Sequence, residues 1–268
     1  MTVDGSARCQ RGHSFDYARS GYLNLTRATG ARPRSGDTAE MVEARAEFLA
    51  TGHYRPIADA VVAAVAAADR PAGALAEIGS GTGYYLDAAA RARREREQGL
   101  ACAVGIDLSK PAAALAARRH RDLEFVVADA EVRIPLRDSA AAVALSVFSP
   151  RPGAELGRVV RLGGELIVAL AGPRHLERLR ERLDLIGIHE DKLERLAERL
   201  EPWFDLVSTA PVEYELRLGA EDARRLALMG PNAWHGFDPT ALEGEHTDLA
   251  SVVVARFQRS EALAGAES

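Results

Sequence analysis

The stretch Glu77-Ile78-Gly79-Ser80-Gly81-Thr82-Gly83 sets an acidic residue two positions ahead of three alternating glycines. The short apolar run Ala74-Leu75-Ala76 precedes it, and Tyr84 to Ala90 reads as a helix start, so the segment is a strand-to-helix turn. Glycine tolerates backbone angles that a Cβ would forbid. It also lets a ligand lie on the main chain beside the free amides of a helix N-terminus. In dinucleotide folds that place holds a pyrophosphate. Here the leading carboxylate would repel phosphate and suits an ammonium group. S-adenosylmethionine, with an amino-acid end and a nucleoside end, meets both requirements; a glycine-rich turn without any ligand is the other reading.

Two more acids recur at strand ends. Ala101 to Ile106 is an apolar strand closing on Asp107, placed to accept from two ribose hydroxyls. It follows Glu77 by 30 positions, against about 20 in the dinucleotide fingerprint. The charged run Arg91 to Gln98, a solvated helix extension, accounts for the excess. Leu123 to Ala128 is a third strand, and it ends in Asp129, a fitting acceptor for an adenine amino group. Each acid alone would be an ordinary surface carboxylate. At three successive strand ends they mark the place where open α/β sheets bind ligands. Ala141 to Val147 is a fourth strand, followed by Phe148-Ser149-Pro150-Arg151, where a methyl acceptor would face the sulfonium.

The elements needed to hold these residues can be read from the apolar periodicity. Asp37-Thr38 caps a helix to about Gly52, with Asp37 accepting from the first-turn amides. Pro56 suits the first turn of the next helix, which runs to Ala68. Helices follow the glycine loop, open at Lys110 and occupy Ala154 to Val160; Arg161 to Gly164 turns into a strand over Glu165–Leu170. A long helical region spans Ala171 to Leu200 with a break at Gly187, a helix covers Ala220–Met229, and late strands fall at Phe204–Leu218 and Leu249–Phe257. Alternating strands and helices argue for a parallel, doubly wound α/β sheet. The two late strands, paired antiparallel, would complete the seven-stranded, Rossmann-like sheet of a class I S-adenosylmethionine-dependent methyltransferase.

Bulk properties narrow the classes. The chain has 268 residues, 47% hydrophobic and 27% charged, enough for one substantial core. No apolar run reaches the roughly 20 residues that a membrane helix needs, so no membrane association is expected. Two cysteines, Cys9 and Cys102, make no disulfide framework and fit a cytoplasmic protein. A net charge of −5 argues against general nucleic-acid stickiness but leaves room for local basic patches. Residues 1–36 are one such patch, with Arg8, Arg11, Arg19, Arg27, Arg32 and Arg34 against Asp4 and Asp16, while 37–268 carry the methyltransferase pattern. Within the patch, Cys9 and His13 have the C-x3-H spacing of two tetrahedral zinc ligands. A free thiol and a surface histidine fit the same spacing.

Longer strings are more specific. Cys9-x3-His13 runs into Phe15-Asp16-x-Ala18-Arg19-x-Gly21-Tyr22-Leu23-Asn24-Leu25. Further on stand Gly36-Asp37-Thr38-Ala39-Glu40-Met41-Val42-x-Ala44-Arg45, Gly52-His53-Tyr54-x-Pro56 and Ile78-Gly79-x-Gly81-Thr82-Gly83. Asp107-Leu108-Ser109-Lys110-Pro111-Ala112, Gly172-Pro173-Arg174-His175-Leu176 and Met229-Gly230-Pro231-x-x-Trp234-His235 complete the set. In these strings the chain resembles the bacterial 23S rRNA (guanine-N1)-methyltransferases, most of all the branch that protects macrolide producers from tylosin and mycinamicin. The resemblance covers nearly the whole chain. It implies S-adenosylmethionine contacts at Tyr54, Gly81, Thr82 and His175; the residues themselves add Glu77, Gly79, Asp107, Asp129 and Phe148 to the expected cofactor site. It also implies an N-terminal zinc module bearing on RNA, a homodimer, an rRNA hairpin as substrate and macrolide resistance. The family's zinc takes an early C-x2-C pair as well. Only Cys9 and His13 match, leaving a zinc-ribbon-like remnant in which binding is expected to be weak or lost. A start codon assigned too far downstream and a natural loss both explain the gap. The N-terminal arginines and Trp234 are candidates for phosphate contact and base stacking, with solvated arginines and a packed tryptophan as the alternative. Two other functions stay open: a small-molecule methyltransferase of natural-product biosynthesis, and a cofactor-binding protein without transfer activity.

Overall fold

The computed structural model describes residues 2–3, 6–8, 12–26, 36–68, 73–96, 100–184, 187–230 and 242–260. The chain opens with a three-stranded antiparallel sheet, β1 (Thr2–Val3), β2 (Ser6–Arg8) and β3 (Ser14–Asp16). β4 (Leu23–Asn24) follows, then α1 (Ala39–Ala50) and α2 (Arg55–Ala67). The core alternates β5 (Gly73–Ile78), α3 (Tyr84–Glu95), β6 (Leu100–Asp107), α4 (Lys110–Arg119), β7 (Glu124–Val127) and β8 (Ala141–Val147). It continues with α5 (Gly153–Val159), β9 (Val160–Ala171), α6 (Glu177–Arg182) and α7 (Lys192–Leu200). β10 (Phe204–Leu218), α8 (Ala220–Leu228) and β11 (His246–Arg259) complete it.

The main sheet has the order β10-β11-β9-β8-β5-β6-β7-β4. Pairings from β4 through β9 are parallel, while β11 runs antiparallel to β9 and to β10. The central strands β5, β8 and β9 are largely buried and apolar because both faces are covered. Leu145, Ile167 and Ala169 pack with α1, α2, α3 and α8, whereas their neighbours Ala144, Leu166 and Val168 pack with α5 and α7. That alternation is the pleat of a strand expressed as two cores.

Four expectations change. The sheet carries an eighth strand, because β4 adds in parallel to the outer edge of β7, with Leu23 opposite Val126. Thr38, not Asp37, caps α1: its hydroxyl accepts from the Met41 amide at 3.3 Å, which frees the Asp37 carboxylate to pair with Arg45. β9 starts at Val160 and runs through Gly163-Gly164 rather than turning there. The expected helix from Ala171 begins only at Glu177. Leu176 sits at φ +53°, outside helical geometry, and its amide bonds to the Leu249 carbonyl, so the chain up to His175 follows β11 instead.

Candidate active site

Glycine at position 83 is fixed by crowding. The backbone there is left-handed (φ +79°), and a Cβ would come within 2.9 Å of the Phe125 ring. Gly83 caps α3, and the turn is held by its amide bond to Ser80. Asp107 ties this loop to the next strand. One carboxylate oxygen accepts from the Gly81 amide at 2.7 Å and the other from the Ser109 amide at 2.7 Å. Burial raises the Asp107 pKa, and the two amide bonds oppose that rise. Each oxygen retains a second lone pair for a ligand hydroxyl.

A cavity of about 540 Å³ opens in front of the loop. Of the residues expected to hold the cofactor, Tyr54, Glu77, Gly79, Gly81, Thr82, Phe148 and His175 line it. Asp107 and Asp129 are not on its wall. Asp107 reaches it only through Gly81, and half-buried Asp129 accepts from the Glu131 amide at 3.0 Å. Glu77 is 1% exposed and accepts from the Leu86 amide at 3.0 Å. Burial, more than any neighbour, holds its pKa well above the usual carboxylate range.

His175 has a defined tautomer. The Ser251 amide donates to Nδ1 at 3.2 Å, so the ring proton of the neutral form is on Nε2. Burial, with Arg180 and Lys192 nearby, lowers its pKa to about 4, so the ring is neutral at pH 7. Nε2–H therefore donates to the Tyr54 hydroxyl at 3.2 Å. The Tyr54 proton is left to point into the cavity as a donor. Tyr54→Phe is expected to keep the fold and to weaken cofactor binding by about 3- to 10-fold, the worth of one net hydrogen bond. Calorimetric titration checks this.

The loop after β8 forms the opposite wall. Phe148 takes a left-handed backbone (φ +52°), uncommon for a bulky residue and a mark of functional sites. Ser149 pins that conformation by donating to the Ile78 carbonyl at 2.5 Å. The Phe148 ring stacks on His175 at 6.1 Å between centroids and is still 41% exposed.

Of the two possible metal ligands, only His13 lies within the described residues. His13 is exposed at the start of β3 and edges Phe15 at 6.5 Å, and Cys9 lies outside the described residues. Among the described residues no group of three His, Cys, Asp or Glu side chains could hold a metal ion. Arg8 and Arg19 are exposed, while Arg11, Arg27, Arg32, Arg34 and Trp234 fall outside the described residues. No described helix is long and apolar enough to cross a membrane.

Comparison with known proteins decides the family. Residues 76–168 match the model of a methyltransferase domain. A Streptomyces fradiae protein named 23S rRNA (guanine(748)-N(1))-methyltransferase is 40% identical over 256 residues, 93% of this chain and 87% of the relative. The chain belongs to the 23S rRNA (guanine-N1)-methyltransferases. A Micromonospora griseorubida relative carrying a 23S rRNA (guanine-N1)-methyltransferase name is 39% identical, over 92% of this chain and 85% of its own. The methyltransferase solved with the Trm112 activator of Haloferax volcanii shares the fold, with a TM-score of 0.52 at 16% identity over 84% of this chain and 99% of that one. The enzyme is thus a class I S-adenosylmethionine-dependent methyltransferase. The cavity suits that cofactor on its own terms. Ser80 Oγ and Tyr85 Oη are buried at the glycine loop, on the cavity lining, without a hydrogen-bond partner among the described residues.

Sequence reasoning gave no site role to Arg45, Tyr85, Arg180 and Lys192, which also line the cavity, and placed Arg151 only within the stretch after the fourth strand that faces the acceptor. Lys192 left one signal, being one of only two lysines in a chain with 34 basic residues. The arginines left none, since arginine is everywhere in this chain.

Proposed function

We propose that this enzyme transfers a methyl group from S-adenosylmethionine to N1 of a guanine in a 23S rRNA hairpin loop. The observation that carries the reading is the 40% identity, over 87% of its length, to the S. fradiae relative named for that reaction at guanine 748. S-adenosylmethionine, when bound, supplies an electrophilic methyl on a sulfonium. Glu77 would face its ammonium group, Tyr54 would donate to its carboxylate, and Asp107 and Asp129 would accept from the ribose and the adenine. The chain's main contribution is then alignment of acceptor, methyl and sulfur. N1 lies on the Watson–Crick edge, so the guanine comes from a loop or is turned out of its stack.

The same reading holds residues 1–36 to be an RNA-facing module without a complete zinc site, the enzyme a cytoplasmic homodimer and macrolide resistance its role. Labelled methyl transfer to unmodified 23S rRNA, mapped by primer extension, is expected to give one new stop at a guanine. Folded, cofactor-binding protein that leaves the rRNA unlabelled would sink this reading. The net charge of −5 favours a small-molecule acceptor as the alternative, and that outcome would support it.

A further inference from the structure

Four cationic side chains line the cavity: Arg45, Arg151, Arg180 and Lys192. Two are committed within the protein. Arg45 pairs with Asp37 and donates to the Met229 carbonyl at 2.6 Å, and Arg180 donates to the His175 carbonyl at 2.8 Å and to the Pro173 carbonyl. Arg151 differs. Its Nε and one Nη are buried and have no hydrogen-bond partner among the described residues. An unsatisfied buried guanidinium N–H is costly and rare, and it points to a partner that arrives with a ligand. Lys192 stands near it and likewise has no bond to a carboxylate among the described residues. Both pKa values are lowered, Arg151's to about 10, chiefly by burial and then by neighbouring cations.

The surroundings offer these cations little. The same cavity is lined by Arg45, Arg180, neutral His175 and Glu77. Behind Arg151 a second hollow is lined by Glu131 and Arg199. Arg199 follows Lys192 by seven positions on α7, so the two project from one helix face toward Arg151. Phe148, 41% exposed, lines both hollows and offers a ring on which a flat base can stack.

We propose that Arg151 and Lys192 face O6 of the acceptor guanine, stacked on Phe148, and stabilise the anion left when its N1 proton departs. The inference rests on the guanine-N1 reading above. The N1–H bond breaks and its proton passes to solvent water, leaving charge shared between N1 and O6. The N1–methyl bond then forms as the methyl–sulfur bond breaks, with that electron pair staying on sulfur. Fixed cations aimed at a developing oxyanion are the strongest device available to a protein for such a step. A planar donor fork beside an ammonium also distinguishes O6 of guanine from the N6 amino group of adenine, which would meet them donor to donor.

The test is the pH dependence of single-turnover methyl transfer to unmodified 23S rRNA by the full-length enzyme, with Arg151→Gln, Lys192→Gln and Arg151→Lys. Each Gln variant is expected to lose roughly 10²-fold in rate at pH 7, and the rise in rate with pH should move toward the alkaline. Arg151→Lys should recover part of both. Affinity for S-adenosylmethionine should stay near wild type, and the thermal midpoint should not fall. A uniform loss with an unmoved pH profile overturns the proposal. So does a loss confined to KM for RNA, which would make these cations phosphate contacts. If Arg151→Gln fails to fold, Lys192→Gln, at the first residue of α7, decides by the same criteria. Wild-type enzyme that transfers nothing to rRNA would instead defeat the underlying reading.

Discussion

Glu77→Gln is expected to stabilise the free enzyme at neutral pH and to weaken S-adenosylmethionine binding by about 10- to 100-fold, the worth of a hydrogen bond to a charged group. The two effects have opposite signs because one carboxylate serves two states. In the free protein Glu77 is 1% exposed, and burial raises its pKa well above the usual range. A group with a raised pKa contributes stability that is fully present below its unfolded pKa and is lost as pH rises through the folded one. At pH 7 the wild type therefore carries this cost and the glutamine does not. The gain should shrink as the pH falls toward the ordinary carboxylate range. The amide oxygen of Gln can still accept from Leu86, so the loop keeps its support. With the ligand ammonium alongside, the ionised form becomes the favoured one. Thermal melts across pH, set beside calorimetric titration, check both halves; unchanged binding would remove Glu77 from the ammonium site, and a lower thermal midpoint would overturn the stability half.

The second large effect lies in the sheet. Arg256→Met should cost about 3–5 kcal/mol, the usual result of breaking a buried ion pair from one side. Arg256 on β11 donates from Nε and Nη2 to the two oxygens of Glu165 on β9, both at 2.9 Å, and Glu165 is 1% exposed. Arg256 also donates to the Ala67 carbonyl at the end of α2, so one side chain joins the antiparallel extension to the parallel core. Urea unfolding should show a lower midpoint with an unchanged slope. The double variant Glu165→Leu with Arg256→Met should regain much of the loss, since an apolar pair leaves no stranded charge.

Sequence and structure agree where the signal is local. Apolar runs ending in Glu77, Asp107 and Asp129 announce strands of a buried parallel sheet, and the glycines announce the turn. The cap of α1 was legible only as a pair, because Asp37 and Thr38 can each accept from first-turn amides. What decided between them was Arg45, two turns away, drawing Asp37 aside. The helix expected from Ala171 failed for a similar reason: the Leu176 amide is taken by Leu249, 73 positions on, which no window on the sequence contains. Arg151 and Lys192 meet only because α7 packs beside the loop after β8. A residue's spacing reports its own element, while such a pair belongs to the packing of two.

The eight-stranded sheet ends in two edges, and the chain treats them differently. Among the described residues no strand pairs with the outer side of β10, which carries Asp205, Pro211, Glu213, Glu215 and Arg217 along its length, charges and a proline that discourage a stray strand. β7 has no such guard on its apolar Phe125-Val126-Val127, and Leu23–Asn24 covers it instead, with the Leu25 amide closing on the Val127 carbonyl at 2.9 Å. The N-terminal segment thus occupies the edge of β7 that another strand could otherwise pair with. A version of this enzyme trimmed past residue 25 would expose a parallel edge to any chain able to pair with it, and its first defect would be precipitation rather than lost chemistry.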